Sequence, residues 1–280
     1  FNTKINLTET QSISTYGDGI DLTLNGGTLN MDVAGAHNNN IRLSALTQSR
    51  INLPAGTIST FTGIFGDDVT NGAVGFTGAG TAILTGANTY TGTTTIDAGA
   101  TVRVGAGGTT GTLGYSGVAN SGALILDRSD GLTITGPISG AGTLTQAGTG
   151  TTTLLGANTY SGDTTISNGT LQIGAGGTGG TLGSSNVANS GALVFNRSDD
   201  FTVSGAISGA GTLTQQGSGT TSLSGTNSWS GATTINNGTL QIGAGGTSGS
   251  LGTSAVLNNG TLAFNRSDTF TVANDVSCSG

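Results

Sequence analysis

Apolar and polar residues alternate along this chain in short bursts, and the bursts return at a fixed interval. Leu193 and Phe195 face one side of such a burst and Val194 the other, as the two-residue side-chain period of a strand requires. The same burst returns with a 69-residue step, at Leu124 and Leu126 before it and at Leu262 and Phe264 after it. Further sets at that spacing are Val102, Leu171, Leu240; Val104, Ile173, Ile242; and Ile138, Ile207, Val276. The pattern predicts short strands separated by glycine-led turns.

The polar residues repeat as well. GANTYSGDTTISNGTLQIGAGG runs from Gly156 to Gly177, with related copies from Gly86 to Gly108 and from Gly225 to Gly246. A second block follows each copy and ends in Arg-Ser-Asp, at 128–130, 197–199 and 266–268. A fixed period of this kind marks a repeat architecture. Within one unit, strand starts at Gly169, Gly191 and Gly211 are followed by Gly238 of the next. Their mean spacing is about one coil of a parallel β-helix, so the unit reads as about three coils, each stacked at ~4.8 Å on the last. On this reading residues one repeat apart share a column, and stacking buries apolar faces that no coil could bury alone.

The pattern GAGTLTQxGxGTTxLxGxNTYSGxTTIxNGTLQIG is met in full at 140–174, and again at 209–243 with NSWS in place of NTYS. A weaker copy starts at Gly78. It resembles the passenger-associated transport repeat, also called the autotransporter-associated β-strand repeat, over residues 76–280. The resemblance implies an all-β fold, a right-handed parallel β-helix, in the passenger of a bacterial autotransporter displayed at the cell surface. It implies no particular activity. Residues 1–75 read as irregular coils of the same solenoid that lack the 69-residue spacing; residues 76–280 form its repeat-bearing part.

Composition narrows the function. Charged residues make up 8% of the chain and aromatic residues 5%, with 53 Gly and 2 Pro. Ordinary domains carry about 25% charged residues. The chain is too apolar and too weakly charged for a solvated disordered tail, and Gly with β-branched Thr suits short strands and tight turns. A net charge of −7 with six scattered arginines and Lys4 offers no basic patch, which disfavours nucleic acid as a partner. No apolar run is long enough to cross a bilayer as a helix. Cys278 is the single cysteine, so no intramolecular disulfide is available.

Catalytic chemistry has little to stand on. Carboxylates are dispersed, Glu9 is the single glutamate and His37 the single histidine, and His37 reads as part of a polar turn. The spread of the acids does not suit paired-carboxylate chemistry, no nucleophile elbow precedes a helix, and no cofactor or metal site is expected. Asp67–Asp68 falls short of a repeated calcium motif.

The candidate residues are those that recur. Tyr90, Tyr160 and Trp229 hold one position in the NTY/NSW turn, either packing on backbone or stacking on sugar rings. Arg128, Arg197 and Arg266 pair locally with the aspartate two residues on, or line a ladder for a glycan. Cys278 and Gly280 mark a candidate end for assembly, since the last residues align with the threshold of another coil. The expected function is a non-catalytic adhesive or spacer stalk that meets a host or neighbouring-cell surface or glycan. The alternative is a subunit of an extracellular filament stacked end to end.

Overall fold

The computed structural model describes residues 5–7, 11–13, 22–32, 34–44, 48–68 and 70–278; Gly280 lies outside them. Its regular structure is β-strand throughout, in segments of two to five residues. The described strands pair in parallel and form a β-solenoid of about 13 turns. Short strands follow from the sequence: a stretch such as Thr170–Ile173 buries Leu171 and Ile173 and leaves Thr170 and Gln172 at the surface. The turn at Gly174, with φ 81°, then takes a conformation that a Cβ would oppose.

Each coil has three faces. Strands Leu132–Ile134, Ile138–Ser139 and Thr143–Gln146 occupy faces 1, 2 and 3 in turn, and Thr151–Leu154 returns to face 1. Face 3 is one nine-stranded sheet, from Gly35–His37 to Ile207–Ser208. Face 1 is a four-stranded sheet ending at Phe65–Asp67 and an eight-stranded sheet starting at Leu132–Ile134. Face 2 is a seven-stranded sheet ending at Ile138–Ser139 and a four-stranded sheet starting at Phe201–Val203. The ladder passes from Ser49–Leu53 to Val74–Gly78 in unbroken register, so the irregular coils stack directly on the repeats.

The expected columns, one residue from each repeat, are corrected by the register. Leu124 lies in the nine-stranded sheet, Leu193 in the eight-stranded sheet and Leu262 in the second four-stranded sheet. Leu124 stacks instead on Leu144, and Leu193 on Leu213. Along face 3 three coils run from Leu124 through Leu144 and Thr164 to Val187, which stops six positions short of Leu193. Those six positions carry the chain on to one more face. Each sequence repeat is therefore three coils plus a third of a turn, and successive repeats start on successive faces. The long step from Gly211 to Gly238 is likewise not one long coil. Leu213 meets Thr233 a full coil on, and Leu240 belongs to the next face.

The interior is filled by inward side chains from all three faces, among them Leu124, Leu144, Leu171, Leu193, Leu213 and Leu240, each fully buried. Full burial of such a side chain stabilises by about 1.5–3 kcal/mol. Corners carry buried polar groups that donate to backbone carbonyls. Gln146 and Gln215 donate to Gly148 and Gly217 carbonyls at 2.8 Å, and Asn120 and Asn189 donate to Thr143 and Thr212 carbonyls at 2.9 Å.

Candidate functional site

Each repeat interrupts one face, and the interruption is where its recurring residues collect. The NTY turn of the first repeat crosses face 1, that of the second crosses face 2, and NSW of the third crosses face 3. Phe65 of face 1 donates its N–H to Asn88 Oδ1 at 2.8 Å, Ile138 of face 2 to Asn158 at 2.8 Å, and Ile207 of face 3 to Asn227 at 2.9 Å. On the other side, Asn88, Asn158 and Asn227 donate to the carbonyls of Thr112, Thr181 and Ser250, at 2.6, 2.6 and 2.8 Å. The asparagine amide thus replaces the peptide unit that a strand would have offered. The motif was read from its aromatic residue; its asparagine makes the bridge.

The aromatic residue of each turn points inward. Tyr90, Tyr160 and Trp229 are completely buried, which removes them as a stacking surface for sugars, and they occupy three different faces rather than a column. Their polar atoms are satisfied by Thr94, Thr164 and Thr233, at 2.6, 2.7 and 3.0 Å. Burial raises the Tyr90 and Tyr160 phenol pKa values, opposed by those hydrogen bonds. The next coil must make room for the ring. A Cβ on Gly183 would stand 2.5 Å from the Tyr160 ring, and one on Gly252 equally close to Trp229.

The arginines fasten loops. Arg128 grips both carboxylate oxygens of Asp130 at 2.7 Å and reaches the Gly111 carbonyl at 2.8 Å. Arg197 and Arg266 repeat this with Asp199 and Asp268, and with Gly180 and Gly249. Each clamp closes a glycine-rich loop, whose tip at 106–110, 175–179 or 244–248 is exposed. Hydrogen bonds from the arginines hold the Asp130, Asp199 and Asp268 carboxyls below the usual carboxylate range. Since the three arginines follow strands on faces 3, 1 and 2, they do not form a linear ladder. Arg197 and Arg266 also lie over the rings of Phe201 and Phe270, at 4.9 and 4.7 Å. The first repeat has Leu132 at that place.

The other sequence candidates scatter. Asp67 accepts from Gly72 and Thr91, and the described residues hold no cluster of three metal-ligating side chains. His37 is a strand residue in Gly35–His37, not a turn; its ring lies 5.4 Å from that of Phe61, and burial lowers its pKa. Cys278 is an exposed free thiol. Among the described residues no helix is long and apolar enough to cross a membrane.

An open feature lies on face 1 at the first interruption. A cleft of about 240 Å³ runs between Asn88–Thr89, Leu113–Tyr115 and Leu132–Gly136. A second, of about 220 Å³, is lined by Arg42, Ile64, Gly66 and again Thr89. Tyr115 stands at the rim of the first, 66% exposed. Sequence reasoning passed over it. The signal was its departure from the repeat, for Ser184 and Thr253 hold the matching positions.

Comparison with known proteins agrees with this geometry. The passenger-associated-transport-repeat family model matches residues 77–104, 144–173 and 213–242, each match spanning one NTY or NSW turn and the strands beside it. The chain is 55% identical to the adhesin BmaC autotransporter of Brucella suis biovar 1 (strain 1330) over 129 residues, 46% of this chain. That stretch spans 4% of the relative's length. No solved structure matches the chain.

Proposed function

Starting from a chain that carries autotransporter passenger repeats, we propose that it is an adhesive β-solenoid stalk, displayed outside a bacterial cell and without catalytic activity. The observation that carries this reading is the 55% identity to an autotransporter adhesin in a chain with three matched repeats. The solenoid supports it physically. About 13 turns at ~4.8 Å each make a rod on the order of 60 Å long, whose rigidity comes from buried columns and whose outer surface is mostly Thr, Ser, Asn and Gly.

The exposed Leu257, Phe264, Val272 and Val276 are what the open end of any solenoid segment presents, and they lend no support to end-to-end filaments. The test is to coat inert beads with the purified chain and count those retained on epithelial and bacterial cell layers. Retention several-fold above albumin-coated beads is expected. Equal retention overturns the adhesive reading.

A further inference from the structure

The two clefts on face 1 are adjacent and share Thr89. Arg42 is in register with Gly66, Thr89 follows on the next coil by donating its N–H to Phe65, and Tyr115 follows again by donating to Tyr90. Thr135 closes the row, since its neighbour Gly136 lies against the Ser116 carbonyl. The line from Arg42 to Thr135 thus runs parallel to the solenoid axis over four coil steps, ~19 Å at the usual strand spacing.

We infer that the two clefts together form one groove that binds a linear glycan, with one pyranose ring stacked on Tyr115 and later units running along face 1 toward Arg42. Four features select that occupant. Tyr115 is a largely exposed ring in a chain whose turn aromatics Tyr90, Tyr160 and Trp229 are buried, and an exposed ring is the face on which sugar C–H groups pack. The walls are hydroxyl-rich: Thr89, Thr133 and Thr135 are exposed and Ser116 partly so.

The sheet edge supplies fixed polar groups. Leu132–Ile134 is the first strand of its sheet, and Ile134 turns its carbonyl to the next coil, where it accepts from Leu155. Parallel strands bond to alternate sides, so the Thr133 peptide groups turn to the cleft, where no strand meets them. Arg42 supplies a cationic donor at the far end. It is exposed, and the one described hydrogen bond of its side chain, to the Asp67 carbonyl, is a long 3.5 Å.

Gly66 keeps the groove open, since a Cβ there would approach Thr89 Oγ1 to 3.2 Å. The second repeat does not reproduce the arrangement: Ser184 replaces Tyr115 and Phe201 replaces Leu132.

This inference rests on the adhesive reading and can fail separately from it. The probes are linear oligosaccharides of two to six units, neutral and uronic-acid-bearing, printed on an array and followed by calorimetry for those retained. Binding that grows with chain length is expected, with Tyr115→Ala about tenfold weaker from loss of the stacking platform and Tyr115→Phe unchanged. Gly66→Gln, which fills the groove from outside the core, should also abolish binding, and unchanged melting temperatures would confirm that both variants fold. Capture of no oligosaccharide by the wild-type chain overturns the inference, as does binding that survives both substitutions. Beads that adhere to cells equally well with Tyr115→Ala leave the adhesive function standing and remove this groove from it. Capture of extended peptides in place of glycans would also overturn it.

Discussion

The Oδ1 of Asn158 accepts a hydrogen bond from the backbone N–H of Ile138 at 2.8 Å, so that a side chain extends the ladder of face 2 where the strand has stopped. The same amide donates to the carbonyl of Thr181 on the following coil at 2.6 Å. A buried backbone group left without a partner costs about 1–3 kcal/mol. Asn158→Ala orphans two of them, so denaturant unfolding should show a loss of at least about 1 kcal/mol. An unchanged midpoint would mean that water serves both groups.

Glycine at 183 is set by the ring that it covers. Gly183→Ala places a methyl 2.5 Å from the Tyr160 ring and closer still to the Tyr160 carbonyl, and neither side can yield without opening the coil. Overpacking of this kind costs about 1–3 kcal/mol. Gly177→Ala, where nothing lies within 4 Å, should change the melting temperature far less; equal effects would refute the steric account.

Trp229, the one tryptophan of the chain, is fully buried, with its Nε1–H on Thr233 at 3.0 Å. Its emission should be blue-shifted and poorly quenched by iodide in the folded protein. It should shift red in the same transition that abolishes the β-sheet circular dichroism. Strong quenching before unfolding would place the indole at the surface.

The arginine clamps predict a pH dependence. Asp199 has a folded-state pKa below its unfolded value, because Arg197 hydrogen-bonds the charged form. Such a group contributes stability above the unfolded pKa and loses it as pH falls through the folded one. The loops at 106–110, 175–179 and 244–248 should therefore resist proteolysis at neutral pH and become cleavable by an acid protease only below the usual carboxylate range. Arg197→Ala should release the 175–179 loop at neutral pH, and continued protection would exclude the clamp.

Tyr90 and Tyr160 give the opposite sign. Burial raises their pKa values, so their contribution is present below the unfolded value of about 10 and fades as pH rises through the folded one. Alkaline titration should show their phenolate absorbance appearing together with unfolding. Ionisation in a protein that keeps its circular dichroism would contradict their burial.

What the sequence determined was everything local or periodic. Alternation such as Leu193-Val194-Phe195 specifies strands, glycines specify turns, and the 69-residue return specifies a stacked solenoid, because those patterns act through neighbours along the chain. The sequence also held the repeat motif whose family model matches. Only the tertiary structure decided which residues meet. The coil steps from Leu124 to Leu144, to Thr164 and to Val187 do not divide the repeat evenly, so each repeat is carried round by one face, and Leu124 packs on Leu144 rather than beside Leu193. The same rotation disperses the aromatic turns and the arginine clamps around the axis. It leaves Tyr115 beside the free edge of Leu132–Ile134, a neighbourhood created by winding and visible in the sequence only as a break in the repeat.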